Sequence, residues 1–118
     1  MSARMHSVQK RIADLAGVNL VSFTVDPEHD TPPVLAAYAQ RFRADPGRWV
    51  LLTGSPSTLN ALDRVTFKMG NVDGAFTHST LFALVDRRGF IRGYYDTDEG
   101  ASLDPLIADI RRLAREQP

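Results

Sequence analysis

The sequence predicts an α/β domain, and three stretches predict it. Val18 to Ala39, VNLVSFTVDPEHDTPPVLAAYA, runs from an apolar strand through an acidic loop into a helix. Trp49 to Thr53 starts a second strand-to-helix unit, and His78 to Tyr95 reads as a hairpin leading to an amphipathic last helix. Ahead of these, Met5, Val8, Ile12 and Leu15 recur at helical spacing and Gly17 stands where a C-terminal cap belongs, so a first helix runs from near Met1 to about Ala16.

In the first strand, near Val18 to Val25, Leu20, Val21, Phe23 and Val25 are strand formers, and Asp26 with Pro27 stops the run. Thr31 offers a hydroxyl N-cap and Pro32 a first helical residue. The helix continues to about Ala44, with Leu35, Tyr38, Ala39 and Phe42 on one face, and Asp45-Pro46-Gly47 forms a turn. After the strand Trp49 to Thr53, Ser55-Pro56 opens a third helix that carries Leu59, Leu62, Val65 and Met69 inward and closes at Gly70; Asn71 to Thr77 is an irregular loop. His78 to Val85 and Phe90 to Tyr95 flank a turn at Asp86 to Gly89. The last helix, from about Leu103, places Leu106, Ile107, Ile110 and Leu113 on one stripe, with Arg111, Arg112 and Arg115 complementing the dipole at its C-terminal end. With no repeat, low-complexity tract or linker, residues 1–118 read as one domain.

At 118 residues and 43% hydrophobic, the chain has enough material for a single core. Its 14 basic and 14 acidic residues cancel, which argues against nucleic acid or an anionic membrane as partner, since both select for basic excess. Its apolar runs fall far short of the roughly 20 residues that span a bilayer. Met1 to Arg11 is polar and amphipathic rather than a signal sequence. No Ser-His-Asp set, phosphate-binding glycine loop or zinc-type histidine pair can be assembled, so neither a hydrolase nor a nucleotide enzyme is expected. There is no cysteine.

The loop DPEHD is a site candidate on geometry, because it follows the C-terminal end of a strand, the edge at which open α/β sheets place ligand chemistry. Taken alone, Asp26 is a strand terminator with a local turn bond. His29 and Asp30 flank it, and Asp30 can support the helix N-terminus. A lone histidine at a strand start, as His78 is, is ordinarily a plain, partly exposed residue. His6 falls on the exposed face of the first helix and reads as solvated, and Met5 belongs to that helix's apolar stripe and so to the core. Tyr94 and Tyr95 alternate across a strand, one ring inward and one outward. Asp96 to Gly100, DTDEG, lacks the EF-hand pattern and reads as a solvated turn.

Four segments in order closely resemble the Sco/SenC family of thioredoxin-like copper proteins: VDPEHDTP after the first strand, WVLLTG, FKMGN, and the pair HSTLFALVD with GFIRGYYD. The resemblance covers nearly the whole chain. It implies a thioredoxin-like three-layer fold that is N-terminally truncated, because the family's first core strand and its Cys-x3-Cys-Pro motif lie just before the helix with which this sequence begins. It further implies that His78 is the hairpin's copper ligand, here a residual one without its two thiolates, and that Asp26 is a loop acid beside the copper site, tuning thiol chemistry or docking. Copper is the cofactor so implied. Cytochrome c oxidase assembly is the implied role, an oxidase subunit or another copper chaperone the partner, and a membrane anchor facing the periplasm the setting of the parent protein.

Soft thiolates select Cu(I), and a single neutral imidazole is a weak metal site, so copper incompetence is expected of the chain as written. A thiol-disulfide oxidoreductase or peroxiredoxin on the same fold is the alternative, and it too needs a thiolate nucleophile. A third reading is a degenerate thioredoxin-like module that acts by protein interaction. None of these makes the chain an enzyme in its own right. The absent strand would be central in the sheet, so its loss predicts a gap whose edges re-pair or associate with a second chain as a homodimer.

Overall fold

The computed structural model describes residues 2–24, 26–62, 81–98 and 100–116. Their elements run in the order α1 (Ser2–Arg11), β1 (Leu20–Phe23), α2 (Pro32–Arg41), β2 (Trp49–Leu52), α3 (Pro56–Ala61), β3 (Leu81–Val85), β4 (Ile91–Asp96) and α4 (Asp104–Ala114). Every expected element with described residues is present. The strand end at Val25, the inward positions Val65 and Met69, the cap at Gly70, the loop Asn71 to Thr77 and the hairpin start at His78 lie outside the described residues.

Two compact units divide the chain, Met1–Val18 with Thr80–Pro118 and Asn19–Ser79. In the first, α1 turns Val8 and Ile12 inward, at 1% and 0% exposure. The helix stops at Arg11, five residues before the expected Ala16, and Gly17 then takes a φ of 77°, the left-handed region that favours glycine. Arg111 of α4 explains the early stop: its guanidinium donates to the Arg11 carbonyl at 2.8 Å and to the Asp14 carboxylate at 2.9 and 3.0 Å, giving the helix end a side-chain donor. Arg11 in turn pairs with Asp104 at the start of α4 at 2.8 Å.

β3 and β4 pair antiparallel, Leu81 opposite Asp96 through Leu84 opposite Gly93, with an irregularity at Leu84/Val85. Asp86 builds the turn: its Oδ1 accepts the amides of Arg88 at 2.9 Å and Phe90 at 3.0 Å, and Gly89 supplies a φ of 86°. At Gly93 a Cβ would lie 2.9 Å from the Tyr95 hydroxyl, so this strand position accepts no side chain without moving that ring. Leu106, Ile107, Ile110 and Leu113 of α4 are all buried, as the stripe predicts.

In the second unit β1 and β2 pair parallel, Leu20 opposite Trp49 and Phe23 opposite Leu52. Leu20 and Trp49 are buried at 7% and 2% exposure, and the Trp49 indole N–H donates to Ser22 Oγ at 3.0 Å. The alternate positions Val21, Phe23, Val50 and Leu52 are exposed. α2 packs against β2, and the rings of Tyr38 and of Phe42 at its C-cap meet at a tilt of 45° with centroids 4.6 Å apart. Ser55 caps α3 as expected, accepting the Thr58 amide at 3.2 Å. Among the described residues β1 with β2 and β3 with β4 each form a two-stranded sheet.

Candidate functional site

The acidic loop is organised by Thr24, the residue that leaves β1. Its hydroxyl donates to the Asp30 carboxylate at 2.5 Å and accepts the Asp26 amide at 3.0 Å, so one side chain ties both ends of the loop. The Asp26 carbonyl accepts the amides of His29 and Asp30 at 3.2 and 2.9 Å, closing a turn that brings His29 back over Asp26. There the His29 Nδ1–H donates to the Asp26 carboxylate at 2.8 Å. Both side chains are exposed, 80% for His29 and 53% for Asp26.

The hydrogen bond to Asp26, and then the charge of that carboxylate, raises the His29 pKa above its ordinary value. A raised histidine pKa means that the contact is fully formed below the ordinary value of about 6.5 and is lost as pH rises through the folded value. With both partners in solvent, the pair orients the loop more than it stabilises the fold.

One local expectation is corrected here. Thr31 occupies the N-cap position with extended backbone, yet its side chain makes no capping bond. Asp30, just ahead of α2, accepts from the Thr24 hydroxyl. A second correction concerns His6: it is half-buried rather than solvated, and its Nδ1 is enclosed without a hydrogen-bond partner among the described residues. The expected inward and outward alternation of the tyrosines holds, with Tyr94 exposed and the Tyr95 hydroxyl donating to Asp109 at 2.5 Å.

Asp26 is thus placed at the strand end that the sequence indicated. His78 lies outside the described residues. Sequence reasoning treated His29 as a bystander, and its pairing with Asp26 is what that reading missed. The signal available was the Asp-x-x-His spacing inside a proline-containing turn.

The donor set does not fit Cu(I). The sequence supplies no thiolate, and no cluster of three or more histidine, cysteine or carboxylate groups suited to a metal occurs among the described residues. The nearest approach, Asp26 with His29, joins a hard oxygen to an imidazole nitrogen already committed to that oxygen.

The family model described as SCO1/SenC matches residues 1–115. A SCO1 protein homolog of Bacillus subtilis (strain 168) is 30% identical over 117 residues, 94% of this chain and 61% of the relative. The chain therefore spans about three-fifths of the length of the curated relative it matches. Among solved structures, a SCO1/SenC family lipoprotein from Bacillus anthracis str. Ames is 33% identical with a TM-score of 0.83, over 98% of this chain and 71% of the other. BsSco, described as having a disulfide switch and as a member of the Sco family of cytochrome c oxidase assembly proteins, is 30% identical with a TM-score of 0.84, over 99% and 71%. The fold is accordingly α/β and thioredoxin-like.

Proposed function

The chain belongs to the SCO1/SenC family, and from that premise we propose a role in cytochrome c oxidase assembly, through copper delivery or thiol reduction at the oxidase's copper site. The observation that carries this reading is the match over residues 1–115, set beside a relative described as a cytochrome c oxidase assembly protein. An oxidase subunit or a second copper chaperone is the partner. A membrane anchor on the parent protein fits a relative described as a lipoprotein, although no helix among the described residues is long and apolar enough to cross a membrane.

Within that role this polypeptide supplies the scaffold, the Asp26 loop and His78, while copper capture at family strength requires the paired thiolates that its sequence does not contain. His78 is a residual ligand, and Asp26, hydrogen-bonded to His29, is a docking or tuning residue. Redox turnover by this chain is excluded on the same ground, since the thiolate is the nucleophile in thiol-disulfide exchange. The lack of cysteine is also the observation that favours a second reading, an interaction module on a thioredoxin-like fold.

Titration against a competing Cu(I) chelator tests the proposal. The chelator should take all the Cu(I), with Cu(II) retained only through weak imidazole coordination that His78→Ala removes. Stoichiometric Cu(I) retention would overturn the expected lack of family-strength copper capture, and binding unchanged in His78→Ala would overturn the assignment of His78 as residual ligand. An in-frame Cys-x3-Cys-Pro codon run upstream of Met1 would favour the assembly protein, and a stop codon there the interaction module.

A further inference from the structure

We propose that the cleft between the β3–β4 turn and the C-terminal end of α4 is a docking site for an acidic segment of a partner protein, one that carries an apolar side chain beside its carboxylates. The cleft encloses about 300 Å³. Phe90 and Leu113 give it an apolar wall, and Phe90, at 64% exposure, is the most exposed large hydrophobic residue among those described.

The charged groups of the cleft divide into a locked set and an available one. Arg92 donates to both Glu116 oxygens at 2.8 and 3.1 Å and to Asp86 at 3.2 Å. Both carboxylates are held below their usual range, Glu116 chiefly by the Arg92 hydrogen bond and Asp86 chiefly by the Phe90 amide, with Arg92 adding to it. The two acids are therefore occupied. Arg87 donates to the Ala114 carbonyl at 2.9 Å and is held over the end of α4.

Arg88 is different. Its backbone amide is fixed by Asp86, and its guanidinium makes no hydrogen bond or ion pair among the described residues. Three guanidinium groups against two carboxylates leave the lining one positive charge in excess, concentrated on the one arginine with an open fork. An unpaired guanidinium of this kind can donate two parallel hydrogen bonds to a carboxylate. Beside an exposed aromatic ring and a leucine, it matches the arginine and aromatic composition of interface centres. Five hydrogen bonds from Asp86 and Arg92 hold the walls, so little ordering is needed on binding.

Fluorescence anisotropy with a labelled Glu-Asp-Leu-Glu-Asp peptide and the full chain tests the proposal, with the Gln-Asn-Leu-Gln-Asn peptide as control. Saturable binding of the acidic peptide is expected, weakening as salt is raised. Arg88→Glu and Phe90→Ser should each weaken it by about fivefold or more, the effect of an interface-centre residue. Both residues are exposed, and unchanged circular dichroism confirms the fold. The proposal is overturned if the amide peptide binds equally, if neither substitution changes the isotherm, if inorganic phosphate displaces the peptide at equal concentration, or if no saturable binding occurs.

Discussion

Among the described residues, the unit of α1, β3, β4 and α4 holds most of the buried apolar side chains, and the unit of β1, α2, β2 and α3 holds few. Seven of the nine buried hydrophobic residues among those described, Val8, Ile12, Leu103, Leu106, Ile107, Ile110 and Leu113, belong to the first. The second buries Leu20 and Trp49 and leaves Val21, Phe23, Val50 and Leu52 exposed. Strands of a parallel sheet are ordinarily covered on both faces and read as continuous apolar runs. LVSF and WVLL are apolar but for Ser22, with cover here on alternate residues only. The candidate loop at Asp26 is attached to this less enclosed unit, where local opening costs least.

The largest test of the contrast is made in the two cores. Ile110→Ala should cost about 2–5 kcal/mol and Trp49→Ala about 3–5 kcal/mol, by the usual cost of emptying a packed site. By comparison, Val50→Thr on the uncovered face should stay within about 0.5 kcal/mol. Denaturant unfolding followed by circular dichroism gives all three values. A Val50→Thr loss as large as that of Ile110→Ala would erase the distinction.

Next in size is self-association. Four apolar side chains on one sheet face, on a chain of zero net charge, should draw copies together at micromolar concentration. Val21→Lys with Val50→Lys should reduce the mass seen by light scattering after size exclusion, whereas Tyr94→Lys, exposed on the other unit, should not. A monomer in all three proteins contradicts the expectation.

Smaller effects appear in the pH dependence. In the enclosed unit, burial, then the hydrogen bond to Asp109, pushes the Tyr95 phenol up to about 12. The folded form then holds its proton more tightly, so this contribution is complete below about 10 and lost as pH rises from there toward 12. Tyrosinate absorbance should show one late-titrating tyrosine, and Asp109→Asn should bring it down. In the open unit, Asp26→Asn should return the His29 titration, followed by NMR, toward the ordinary histidine value while leaving the unfolding midpoint unmoved. A large midpoint loss would make Asp26 a turn former instead of a site residue.

Much of this was legible in the sequence because it rests on local periodicity. The stripe Leu106, Ile107, Ile110, Leu113 fixed α4, and the Asp86 to Gly89 turn fixed the hairpin. The strand-loop-helix order placed Asp26 at the end of β1. What periodicity does not encode is the choice among competing acceptors. Asp30 serves Thr24 and leaves α2 uncapped by its side chain, and Arg111 ends α1 from a hundred residues away, a contact settled only by packing. His6 was misplaced for a related reason, since its enclosure depends on what lies over α1.

Hydrogen exchange measures the contrast directly. The amides of α4 and of the β3–β4 ladder should exchange slowest, those of β1 and β2 faster, and those of the Asp26 loop fastest. Protection at Leu20–Phe23 and Trp49–Leu52 equal to or greater than that at Asp104–Ala114 would contradict the account.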